Sequence, residues 1–248
     1  DVVLEALYEP CEVDEGEEYE PNMSTSPEQI GSPAAYAAGY TGAGTRIAIV
    51  DTGLDLDHIS FSAAGFQYSL ALQAGRADVS VEDYIQQLDL LDAEEIQAHL
   101  DQLNVKEYAA EITADGLYQN RKVPFGYNYI DRSHTYLGHD QDLEGEHGSH
   151  VAGIATSNAY IPNGDGTFTP ALEAVKTQGV APDAQIIAMK VFGTGGGAYD
   201  SDYMAAIEDA IILEADAINL SLGSAMAGTS RHSNAAYQTI LDLSLIHI

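Results

Sequence analysis

Three short stretches of this chain bring together residue types that do chemistry. Asp51 closes an apolar run, Arg46-Ile-Ala-Ile-Val50, and is followed at once by Thr52-Gly53. His147 lies in Glu146-His-Gly-Ser-His-Val-Ala-Gly-Ile154, and Ser221-Leu222-Gly223 directly follows Ala217-Ile-Asn-Leu220. A carboxylate and an imidazole brought together can hold and move a proton, and Ser221 follows a strand end that can open onto the same crevice, although a nucleophile is not read at Ser221. Each also has a plainer role by itself: an Asp after a strand caps a turn, and a lone His is usually structural. His147 and His150 stand three apart, a spacing that can place both on one helical face. A metal hydrolase built on His147, His150 and Asp51 is therefore a second chemistry. It needs a third ligand and a general base that no recognised pattern in the chain supplies.

These residues need elements to position them. Arg46–Val50, Gln185–Val191 and Ala217–Leu220 are short, β-branched apolar runs, which predicts strands buried on both faces. Between the last two, Tyr203, Ala206, Ile207, Ala210 and Ile211 recur at helical spacing over 202–214, with Ser201 or Asp200 as the expected cap. Strand, helix and strand with short joints make a βαβ unit, so a parallel sheet covered by helices is expected. In such sheets the working face lies outside the carboxyl ends of the strands, which brings Asp51 and Ser221 towards one crevice. Glu146–Ile154 reads as a helix whose Gly and Ala positions allow close packing on the sheet, with His147 accessible at its start. Val81–Leu100 carries Tyr84, Ile85, Leu88, Leu91, Ile96 and Leu100, a pair of helices restarted at Asp92-Ala-Glu-Glu. The whole of 62–120 interrupts the strand–helix rhythm and is expected to be a helical insertion on the surface.

Composition narrows the function classes. The 248 residues hold 39 Asp plus Glu against 9 Lys plus Arg, a formal net charge of −30. A field of that sign repels phosphate backbones and anionic lipid surfaces, so nucleic-acid binding is excluded. No apolar run approaches the about 20 residues of a membrane span, so no membrane insertion is expected. Cys11 is the single cysteine, which rules out an intrachain disulfide and a Cys-based zinc cage. Residues 1–21 are rich in acids, and no basic residue precedes Arg46, the pattern of a solvated, flexible arm. Residues 22–44 read as a linker with one short helix, rich in Ser, Gly, Ala and Pro.

Taken together, Asp51-Thr-Gly-Leu-Asp55, His147-Gly-Ser-His-Val-Ala-Gly153 and Ile218-Asn-Leu-Ser-Leu-Gly223 resemble the successive signatures of the subtilisin-like serine peptidases, the subtilases. Lys122-Val-Pro-Phe-Gly-Tyr-Asn-Tyr129 and Gly179-Val-Ala-Pro-Asp-Ala-Gln-Ile-Ile-Ala-Met-Lys-Val-Phe192 extend the resemblance towards the lactocepin and streptococcal C5a-peptidase branch. Those are cell-envelope proteinases of Gram-positive bacteria. The resemblance implies a three-layer α/β fold with a mostly parallel sheet between helices, of which 22–248 form the N-terminal portion. It implies a serine endopeptidase, secreted or attached to the envelope of a Gram-positive-like bacterium, acting as a monomeric catalytic domain on proteins or peptides.

The same resemblance assigns roles. Asp51 is the buried carboxylate and His147 the general base, in the family's chain order of Asp, then His, then Ser. His150 is expected to pack inside. Ser221, Leu222 and Gly223 form one wall of a peptide groove and Gly196, Gly197 and Ala198 the opposite edge, so that a substrate adds as a strand between them. The nucleophilic Ser and the oxyanion-binding Asn are expected beyond the chain end, leaving this portion inactive alone. Gly228-Thr229-Ser230 spells the nucleophile tripeptide, yet Arg231-His232 follows where small residues should open a buried helix, and the pocket strand lies too near. Residues 233–245 are expected to form the helix before the Asn strand. The chemistry requires no cofactor. Structural calcium fits the acidic surface, although Ser60 stands where many relatives carry a ligand Asp, and no ligand set is assigned. Alongside the peptidase stands a non-catalytic peptide-binding module on the same fold.

Overall fold

A computed structural model describes residues 7–10, 26–109, 111–134, 145–193 and 195–223. Its centre is a four-stranded parallel sheet of β2 (Arg46–Asp51), β3 (Phe125–Asn128), β6 (Gln185–Lys190) and β8 (Ala217–Asn219), in the spatial order β3-β6-β2-β8. The register pairs Ile47 with Ile186 and Ala217, and Asp51 with Lys190. Side chains alternate across the pleat, so each strand feeds two cores. Ala48, Val50, Phe125, Tyr127, Ile187 and Met189 point to one side, and Ile49, Ile186 and Ala188 to the other. Of the three predicted strands, β2 and β6 are buried along nearly their full length, whereas β8 is the partly exposed edge.

Helix α8 (His147–Thr156) covers the second face through Ala152, with Val151 and Ala155 packed alongside. The first face carries α10 (Asp200–Ile212), which buries Tyr203, Ala206, Ile207 and Ala210 as their spacing predicts. No side chain caps α10: its N-cap is Tyr199, and Asp200 and Asp202 in the first turn instead complement the helix dipole. Sheet and helices together make the three-layer α/β arrangement.

The segment after β2 is helical, as its pattern predicts: α3 (Ala63–Ala77), α4 (Val81–Gln87), α5 (Ala93–His99), α6 (Asn104–Tyr108) and α7 (Ala114–Leu117). Capping sets several boundaries. Ser80 accepts from the Asp83 amide, and Asp92 accepts from the amides of Glu94 and Glu95. The segment is not a surface appendage, however. Leu91, Ile96, Leu100, Leu103, Val105, Ile112 and Leu117 join the same core cluster as the sheet and α10. Polar clamps reinforce the docking: the Arg46 guanidinium binds both Glu95 carboxylate oxygens at 2.7 and 3.0 Å, and Gln185 exchanges hydrogen bonds with the Leu91 backbone. Helix α6 begins without a cap of its own. Asp209 of α10 accepts from the amides of Asn104 and Val105 and so does that work across the core.

Ahead of the sheet, the expected linker holds two short helices, α1 (Ser26–Ile30) and α2 (Ser32–Ala37). Residues 7–10 form strand β1, flanked on one side by β7 (Ala198–Tyr199) and on the other by β9 (Leu222–Gly223). These four residues belong to the stretch read as a flexible arm, and the rest of 1–21 lies outside the described residues. A small antiparallel hairpin, β4 (Tyr160–Pro162) with β5 (Phe168–Pro170), follows α8 and leads into α9 (Ala171–Ala174).

Candidate active site

Asp51 is the last residue of β2 and is 1% exposed. His147 is the first residue of α8, whose opening turn crosses the carboxyl end of that strand. Asp51 Oδ1 and His147 Nδ1 lie 2.7 Å apart, and Oδ1 also accepts from the Thr52 amide at 2.7 Å. A carboxylate can only accept, so Nδ1 carries the proton and Nε2 is left as the basic nitrogen. A buried carboxylate favours a neighbouring cation, so the pair is built to stabilise the imidazolium that forms when Nε2 takes a proton.

The approach of α8 to β2 depends on one glycine. A Cβ at Gly148 would collide with the Gly53 carbonyl, so only Gly permits the helix to start this close to the turn after Asp51. The Gly148 amide donates to Thr52 Oγ1 at 2.9 Å, and Lys190 Nζ donates to the Thr52 carbonyl at 2.6 Å. Thr52 thus ties the carboxylate strand, the imidazole helix and the neighbouring strand β6 together. Neither Thr52 nor Lys190 stands out in the sequence as a site residue. The available signal is a lysine at the end of an otherwise apolar strand, where a charge without a task would be costly.

The two predicted groove walls face each other, with differences at their ends. Leu222 and Gly223 are strand residues, and Ser221 precedes them. On the opposite wall only Ala198 is in a strand. Gly196 and Gly197 form the turn before it at φ of 74° and 84°, a left-handed conformation that favours glycine. Between the walls runs β1, antiparallel to both: Leu7 pairs with Tyr199, Tyr8 with Ala198, Glu9 with Gly223 and Pro10 with Leu222. Strand β1 of this chain therefore lies between the two segments, and its direction leads towards Ser221.

His150 does not pack inside. It sits three residues beyond His147 on the outer face of α8 and is exposed. Its ring joins no cluster with Asp51, which the Nδ1 of His147 already engages. Among the described residues no group of three His, Cys, Asp or Glu side chains is placed to hold a metal ion. Gly228-Thr229-Ser230 and the helix expected over 233–245 lie outside the described residues.

Residues 42–245 match the subtilase family. The chain is 32% identical over 188 residues to the PI-type proteinase of Lactococcus lactis subsp. cremoris, covering 75% of this chain and 8% of that protein. It is 30% identical over 185 residues to the C5a peptidase of Streptococcus pyogenes, covering 74% of this chain and 12% of the relative. It is 25% identical over 210 residues to the minor extracellular protease Vpr of Bacillus subtilis, covering 83% and 17%. The chain thus spans only a small part of the length of these relatives.

Proposed function

The chain belongs to the subtilase family, and we propose that it forms part of the catalytic domain of a serine endopeptidase acting outside the cell. In this reading His147 Nε2 takes the proton of a serine hydroxyl supplied from outside the described residues, and returns it to the leaving amine. Asp51 holds the tautomer and stabilises the imidazolium. Protein substrates lie as an added strand between β7 and β9, held chiefly by main-chain hydrogen bonds. The observation that carries the reading is the 2.7 Å contact of His147 with the buried Asp51 carboxylate at the end of a parallel sheet, on a chain whose strand β1 lies between β7 and β9 as a peptide would. Extracellular action rests on the names and similarity of the relatives. Among the described residues no helix is long and apolar enough to cross a membrane.

The test is hydrolysis of an unfolded protein by the full-length proteinase that contains this chain. His147→Ala is expected to lower kcat by about 10⁶-fold, and Asp51→Asn by about 10⁴-fold through the wrong tautomer. A serine-directed fluorophosphonate should block turnover, and a chelator should leave the proton-transfer residues competent. Inhibition by chelator alone would favour the metal hydrolase. Tight peptide binding with no turnover in any condition would favour the non-catalytic module, a reading to which the occupied groove lends its own support.

A further inference from the structure

A cleft of about 480 Å³ opens beside the start of α8. One wall is the outer face of α8, where Glu146, His150 and Ile154 follow one another at intervals of four residues. The other is the loop after Asp51, which contributes Asp55, His58 and Phe61. Ser149 Oγ accepts from the Asp55 amide at 2.7 Å and fastens the two walls together. The floor is apolar: Phe61 is buried, and Ile154 remains 38% exposed.

We infer that this cleft binds a lysine or arginine side chain of the substrate on the leaving-group side of the scissile bond; this rests on the peptidase reading above. The direction of β1 in the groove is the first reason. A peptide running as Leu7–Pro10 does reaches Ser221 with its amino-terminal part already between β7 and β9. The part beyond the reacting bond must then leave past His147, and the cleft begins at Glu146, the neighbouring residue. Chemistry is the second reason. A long aliphatic stem lies well on Phe61 and Ile154, and its cationic head then meets the carboxylates of Asp55 and Glu146 at the rim. The net charge of −30 favours the same occupant.

The experiment uses the full-length proteinase and internally quenched peptides that differ only at the first three residues after the cleaved bond. Lysine or arginine at one of those positions should raise kcat/KM about fivefold over glutamine, as expected for partly exposed ion pairs. Glu146→Gln together with Asp55→Asn should remove that preference, read as the lysine-to-glutamine ratio of kcat/KM within the variant, and Glu146→Lys should turn the preference towards glutamate. Equal rates for lysine and glutamine at all three positions, or a preference that survives the double variant, overturns the inference without touching the peptidase reading. If no peptide is cleaved, fluorescence anisotropy with the same labelled lysine and glutamine peptides on the full-length proteinase decides it. Tighter binding of the lysine peptide, lost in the double variant, keeps the cleft and discards the peptidase. Equal binding discards the cleft as well.

Discussion

At the scale of single residues, function and stability draw on the same device, a polar group buried where the backbone satisfies it. Asp51 Oδ1, which accepts from the Thr52 amide, and Thr52 Oγ1, which accepts from the Gly148 amide, serve the site in this way. Lys122 does so for the fold: its Nζ donates to the carbonyls of Thr156, Pro182 and Ala184 at 2.7 to 2.9 Å, and the amine is fully buried. One side chain thus joins the end of α8 to the loop that enters β6. Burial pushes the amine down to about 7, against the Asp183 carboxylate, which pulls it up. The unfolded chain holds this proton up to its ordinary value of 10.5, so above pH 7 the unfolded state binds more protons than the folded one. Stability contributed by this group should therefore rise between about pH 7 and 10.5, and fall back as pH drops to 7, below which both states hold the proton. Denaturant unfolding at pH 7, 8 and 9 reads that slope, and Lys122→Met should abolish it. The same variant should cost about 2–5 kcal/mol at pH 7, because three carbonyls lose their donor. The apolar flanks of Lys122, Val123 to Phe125, mark a buried stretch, but the three carbonyls come from residues 34 to 62 positions away. No local pattern announces them.

Among the elements, strands and helices with strong periodicity were legible and the partners of each were not. The bounds of β2, β6 and α10 follow closely from runs of Ile, Val and Ala, and α4 and α5 follow from the apolar spacing over 81–100 and the restart at Asp92. What periodicity leaves open is what an amphipathic face packs against. The helices of 62–120 bear the apolar stripe of an ordinary surface helix, yet they supply Leu91, Ile96 and Leu100 to the central core. Ile96→Ala should accordingly cost about 2–5 kcal/mol, measured by denaturant or thermal unfolding, where a surface appendage would give less than about 1 kcal/mol. Strand β1 makes a second case. Its residues sit in an acid-rich stretch, and the edges of β7 and β9 give its backbone a place to pair. Since it fills the groove, removing residues 1–25 should tighten binding of an added peptide. Anisotropy with a labelled peptide checks this, and equal affinity with and without the segment would show that β1 does not compete.

For the whole molecule, charge and chain order are properties of the sequence, whereas the site is a property of the fold. A net charge of −30 is fixed before any folding, and it makes cationic peptides the favoured visitors. Raising salt from about 0.05 to 0.5 M should therefore slow association of a lysine-rich peptide about tenfold or more and leave a neutral one nearly unchanged, as stopped-flow fluorescence would show. The sequence by itself determined the parallel α/β class and placed Asp51 at the end of a strand and His147 at the start of a helix, because strand periodicity and short motifs are local. Only the tertiary structure decided that Oδ1 of Asp51 meets Nδ1 of His147 across 96 residues of chain, that Thr52 and Lys190 hold them there, and that His150 faces outward. These depend on how closely α8 can approach β2, a distance set by the absent side chain of Gly148 against the Gly53 backbone. Steric fit between segments remote in sequence has no signature in either segment alone.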